Sequence, residues 1–201
     1  MGSFTYEEKN PGSPLETFEW DNVWWEHTEN KEAKRILYIG DSISCGTRGY
    51  ITALAGPEYL CDGFGTSKAL DNPFFKPSLE LFLNQHSRCD LILFNNGLHG
   101  WHLSEEEYGK YYEDMLSFLT GRQAPVAILL TTDVLNDPER NCRVEARNAI
   151  AAALGEKHGA RVIDLYRLAV DNPEAHTQDC VHFTPEGYEL LAKYILKEIG
   201  L

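Results

Sequence analysis

The segment Arg35-Ile36-Leu37-Tyr38-Ile39-Gly40-Asp41-Ser42-Ile43-Ser44 carries an unbroken apolar run that stops at Gly-Asp-Ser. A short continuous apolar run reads as a strand buried on both faces. The Gly-Asp-Ser that ends it sets a hydroxyl at the carboxyl end of that strand. In an open α/β sheet, ligands bind in the crevice outside those ends. A serine there is a weak nucleophile alone; it needs a base, a group to orient the base, and donors for a developing oxyanion.

Working outward, apolar runs at 35–40, 57–61, 90–94, 125–130 and 160–165 alternate with helical patterns. Helices are expected from about Ser44 through Ala55, around 76–86, from a Ser104-x-x-Glu107 capping box, from Pro138 to about His158, and from Pro185 to Ile199. The glycine-rich 62–67 reads as a loop after the second strand. Strands alternating with helices predict an α/β chain, a three-layer α/β/α sandwich with a five-stranded parallel, flavodoxin-like sheet. Residues 35–201 form that domain and 1–34 an arm packing on it, with the first 16 residues, polar and rich in Gly and Pro, expected to be mobile. Trp20, Trp24 and Trp25 concentrate apolar area in the arm. Three readings follow: the rings clamp onto the domain, wall the substrate cleft, or form a homodimer contact.

The formal net charge of −13 disfavours nucleic acid and anionic membrane surfaces as partners and suits a neutral or cationic substrate. The sequence shows neither an 18-residue apolar run nor a basic-then-apolar leader, so a cytoplasmic location is expected. Five scattered cysteines without a C-x-x-C pair point to free thiols.

The residues that answer the serine's needs follow predicted strands. Asp179-Cys180-Val181-His182 comes after the fifth, and its spacing lets a tight turn bring the carboxylate to one ring nitrogen, leaving the other as general base. Asp164 is the competing carboxylate, and the shorter loop favours Asp179. Glu105 to Glu107 read as a helix N-terminus complementing the dipole, and Asp133 and Asp137 as a cleft rim. A metal site from His99, His102, His182 and Asp62 lacks ligand spacing, so neither metal nor cofactor is expected.

Gly40-Asp41-Ser42-Ile43 together with Asp179-x-x-His182 resembles the SGNH (GDSL-type) hydrolase family of esterases and lipases, over residues 35 to the end. The resemblance implies Ser42 as nucleophile and Asp179 and His182 as the rest of a triad, with Ile43 in place of the usual Leu. It implies an oxyanion hole from the Ser42 amide, a second-block amide and a third-block side chain. Gly63-Phe64-Gly65-Thr66-Ser67 resembles the second block and puts either Gly65 or Thr66 at the donor. Asn95-Asn96-Gly97-Leu98-His99-Gly100 departs from the third block's Gly-x-Asn-Asp, putting His99 in the Asn slot with Asn96 next in line. Asp41, Asn95 and Trp101 are expected near the substrate. The function expected is a serine esterase cutting a small acyl ester, in particular acetyl, on a carbohydrate. The alternatives are a lipase or thioesterase of the same family and a non-catalytic glycan-binding module.

Overall fold

The computed structural model describes residues 14–15, 18–86 and 88–201. The expectation of mobility for residues 1–16 thus falls, Pro14 and Leu15 apart, outside the described residues. Six strands form one sheet: β1 (Asp21–Trp24), β2 (Lys34–Gly40), β3 (Tyr59–Thr66), β4 (Leu91–Phe94), β5 (Val126–Leu129) and β6 (Arg161–Ile163), in the order β1-β3-β2-β4-β5-β6. From β2 to β6 neighbouring strands run parallel, with β2 at the centre between β3 and β4. Alternation along β2 sends Ile36 and Tyr38 into one core and Leu37 and Ile39 into the other, which is why the run is apolar without a break.

The helices are α1 (Ser42–Ala55), α2 (Phe75–Leu83), α3 (Glu105–Thr120), α4 (Pro138–His158), α5 (Leu165–Val170) and α6 (Pro185–Ile199). The core under Tyr38 is closed by α1, α5 and α6, and the core under Ile39 by α2 and α3, with α4 packed beside α3. Both expected capping devices are present. Ser104 and Glu107 form a reciprocal box at α3, and the Thr184 hydroxyl accepts from the Gly187 amide at α6. Among the described residues no helix is long and apolar enough to cross a membrane.

Two expectations are corrected. The sheet has six strands, not five, because arm residues Asp21 to Trp24 add an antiparallel edge strand along β3. And β3 runs on through the glycine-rich stretch to Thr66, well past Cys61. A methyl on Gly63 would lie 2.5 Å from Arg48 Nη1, and one on Gly65 2.2 Å from Cys45 Sγ. These glycines are strand residues pressed under α1, not turn residues. The short α5 and a 3₁₀ turn at Pro173–Ala175 were not expected at all.

The arm is held by buried polar groups. Arg35 donates to the carbonyls of Glu26, His27 and Asn30 and pairs with Asp62, which also accepts from the Glu26 amide at 2.7 Å. Trp25 packs on Phe82 and on His86, whose ring lies 4.5 Å away. Burial, aided by the Arg35 charge, pushes His86 down to about 4 although Asp62 stands 3.5 Å from its Nδ1. An unfolded histidine titrates near 6.5, so between those values the unfolded chain binds the proton more tightly. This stability is present above about pH 6.5 and is lost as pH falls to about 4, by about 3 kcal/mol at most. Asp62, raised by its own burial, works in the opposite direction. Urea unfolding at pH 7 and pH 4 is expected to show a larger loss for the native chain than for His86→Phe; equal losses would remove His86 from the acid response.

Candidate active site

Gly40 ends β2 with no room for a side chain, since a methyl there would lie 2.8 Å from Ser44 Cβ. The chain turns directly into α1 with Asp41 as N-cap. The Asp41 carboxylate accepts from the Ile43 amide at 2.9 Å, and its carbonyl accepts the Ser44 hydroxyl at 2.6 Å. Ser42 is therefore the first residue of α1, its amide among those without an intrahelical acceptor and at the positive end of the helix dipole.

The partner of Ser42 arrives from 140 residues away. His182 Nε2 lies 2.8 Å from Ser42 Oγ, and His182 Nδ1 lies 2.8 Å from Asp179 Oδ2. The turn carrying both is tightly wound. The Thr177 amide donates to the His182 carbonyl at 2.7 Å, Cys180 takes a left-handed φ of 66°, and the Leu135 amide holds the Cys180 carbonyl at 2.9 Å. The other Asp179 oxygen accepts from the Val181 and His182 amides and from the Thr177 hydroxyl. Burial alone would raise this carboxyl, but those donors, with the His182 ring, hold it well below the usual carboxylate range. Asp179 is thus a fixed anion facing one ring nitrogen while the other meets the serine hydroxyl.

The rest of the site is unevenly supplied. The Ser67 amide donates to the Trp20 carbonyl, so by strand alternation the Gly65 N–H also faces β1, while the Thr66 N–H faces β2, where the pairing of Gly40 with Gly65 engages it with the Gly40 carbonyl; both amides belong to the sheet ladders. Both N–H groups of the Asn95 amide are taken, by the Leu129 carbonyl and Thr131 Oγ1. Asn96 donates once, to the Lys68 carbonyl at 3.3 Å, which ties the third-block loop to the end of β3 and leaves one N–H over. His99 is half-buried, and its carbonyl is held by Arg147 at 2.8 Å. The same guanidinium, 0 % exposed, donates to the carbonyls of Gly97 and Gly100 and lies over the Trp101 and Tyr108 rings.

The other residues considered from the sequence make the following contacts. Asp41, 1 % exposed, is accounted for as a cap. Trp101 is covered by Arg140, Arg143 and Arg147 of α4. Asp164 caps α5, Asp137 caps α4, and Asp133 stands buried 3.3 Å from His176. His102 pairs with Asp71 and Asp62 with Arg35, so the four candidate metal ligands do not converge. Sequence reasoning missed Thr177 and Arg147. The first carries no local signal; the second belongs to an Arg140-Arg143-Arg147 helical spacing that marks one face of α4. A cavity of about 400 Å³ opens at the amino ends of the strands, beside Lys34, Leu91 and Arg161, and so lies across the sheet from the serine.

No protein-family model matches the sequence, and no curated protein resembles it in sequence. Solved structures do share its fold. A member of the lipolytic G-D-S-L family from Veillonella parvula matches with a TM-score of 0.65 at 19% identity, over 82% of this chain and 97% of that one. An acetylxylan esterase from Geobacillus stearothermophilus matches at 0.63 and 14%, over 86% and 97% of the two chains. The catalytic domain of a peptidoglycan O-acetyltransferase from Streptococcus pneumoniae matches at 0.64 and 19%, over 84% and 93%. The parallel sheet, the serine at the start of α1 and the Asp-x-x-His turn before α6 are therefore set in the fold of the SGNH (GDSL-type) hydrolases.

Proposed function

We propose that this protein is a serine esterase that removes a small acyl group, in particular acetyl, from a carbohydrate. The observation that carries the reading is the continuous chain Asp179–His182–Ser42, with 2.8 Å at each link. In the mechanism, Ser42 Oγ attacks the ester carbonyl as His182 Nε2 takes its proton. The imidazolium that forms is stabilised by the anion at Nδ1. Collapse of the tetrahedral intermediate expels the alcohol, which receives the proton from His182, and leaves Ser42 acylated. Water then attacks, activated by the same nitrogen, and releases the acid. The donors at hand for the oxyanion are the Ser42 amide and the remaining N–H of Asn96.

Solvent access favours water as the second nucleophile over a sugar hydroxyl, since the side chains of His182 and Asp179 are 41% and 52% exposed. The acidic chain suits a neutral alcohol, and the likeness to an acetylxylan esterase supports a carbohydrate. Fluorophosphonate labelling and p-nitrophenyl acetate turnover of the native chain and Ser42→Ala test the reading. The native chain is expected to label at Ser42 and turn over, with activity at least 10⁴-fold lower in the variant. An inert native chain would transfer the fold to the glycan-binding alternative.

A further inference from the structure

The triad leaves unused a row of side chains on β1. Alternation puts Trp20, Asn22 and Trp24 on one face of the strand. That face is turned to α1: Asn22 Oδ1 accepts from Arg48 Nη2 at 2.7 Å, and the Arg48 guanidinium lies 5.5 Å from the Trp24 ring centroid. At one end of the row, a methyl built on Gly65 would lie 3.4 Å from the Asp41 carbonyl and 3.5 Å from Trp20 Cζ3. The Trp20 ring and the carbonyl of Asp41, the residue just before the serine, therefore close on the same point above Gly65. At the other end lies a cleft of about 380 Å³, walled by Trp24 and Arg48 and floored by Cys45, Gly46, Gly49 and Ala53 of α1.

Ser42, Cys45, Gly46, Gly49 and Ala53 recur at helical spacing, so the floor is the α1 face that begins at Ser42. The nearest floor residue, Cys45, lies within one helical turn, about 5 Å, of Ser42 along α1, and Trp24 lies about 13 Å along the strand from Trp20. Above Gly49 a methyl would meet nothing within 4 Å, whereas one on Gly46 would lie 2.2 Å from the Tyr188 ring, so the floor is open at Gly49 and covered by α6 at Gly46. Trp24 keeps 48% of its surface exposed, its ring anchored by Nε1 donating to Glu26 at 2.9 Å. Arg48 is only 8% exposed, and its Nη1 has no hydrogen-bond partner among the described residues.

We propose that this cleft is the subsite for the carbohydrate part of the ester, with Trp24 as its stacking platform, Arg48 as its polar wall and Trp20 at its junction with the triad. The inference rests on the esterase reading and names where the leaving alcohol lies. An anchored, exposed indole face beside a guanidinium and a carboxylate suits a sugar, which brings both a flat apolar face and hydroxyls. An acyl chain would offer no acceptor to the Arg48 guanidinium.

The test compares kcat/KM for acetylated xylotriose with that for p-nitrophenyl acetate in the native chain, Trp24→Ala and Trp24→Phe. The ratio of the two is expected to fall at least tenfold in Trp24→Ala, through KM for the oligosaccharide, and to recover largely in Trp24→Phe. A ratio within twofold of native overturns the proposal. So does a loss confined to p-nitrophenyl octanoate, which would give the cleft to an acyl chain. Failure of the esterase reading shows separately, as absent fluorophosphonate labelling. In that case tryptophan-fluorescence titration with acetylated xylotriose still decides: a Kd raised tenfold by Trp24→Ala upholds the sugar site, and no binding to the native chain overturns it.

Discussion

Asp179→Asn is expected to lower kcat by about 10⁴-fold while changing KM little, the size of loss that follows when the orienting carboxylate of a Ser-His-Asp triad is made an amide. The geometry gives the reason. One Asp179 oxygen is fixed by the Val181 and His182 amides and the Thr177 hydroxyl, so the other must face His182 Nδ1. Asparagine keeps the side-chain oxygen for those three donors and turns its NH₂ toward the ring. The imidazole then carries its proton on Nε2, the atom that must accept from Ser42 Oγ. The charge that stabilises the imidazolium is lost as well. The fold is expected to survive, because the turn's backbone bonds from Thr177 to His182 and from Cys180 to Thr177 are untouched. Steady-state turnover of p-nitrophenyl acetate, with a circular dichroism melt as control, is the measurement. A fall of less than tenfold would mean that Asp179 is not the orienting group.

The parts of this fold that were legible in the sequence are those where local chemistry and tertiary packing agree. The run 35–40 is apolar because both its faces are covered, and Ser104-x-x-Glu107 forms the box its residues specify. The short Asp-x-x-His spacing closes a turn, so the contact between Asp179 and His182 was legible from the sequence. Where the two disagree, the sequence misleads. Gly63 and Gly65 carry the signature of a loop but lie in a strand, because Arg48 and Cys45 of α1 occupy the space above them. The arm strand shows no clean alternation because it is an edge strand whose four residues are all exposed. The third-block loop was the least legible, since its conformation is set by a side chain about 50 residues away.

That side chain carries the second large effect. Arg147→Met is expected to destabilise the protein by about 3–5 kcal/mol, the range for removing one member of a buried charged network. Methionine replaces much of the aliphatic stem but none of the donors, so the carbonyls of Gly97, His99 and Gly100 lose bonds of 2.8–2.9 Å in a place water does not reach. Each such loss costs about 1–3 kcal/mol when nothing takes its place. The Trp101 and Tyr108 rings also lose a cation at 4.7 and 4.6 Å from their centroids. Burial pushes the Arg147 guanidinium down only to about 10, so it is charged at neutral pH and the penalty is expected there in full. Arg147→Lys is expected to recover less than half of the loss, because one ammonium on a flexible stem cannot reproduce a planar fork aimed at three carbonyls. The loop so held carries Asn96, which means kcat should fall in the methionine variant even under conditions where it remains folded. Urea unfolding of the three chains measures the stability. A loss below about 1 kcal/mol would mean that the loop holds its shape without Arg147, and the oxyanion side of the site would then need no support from α4.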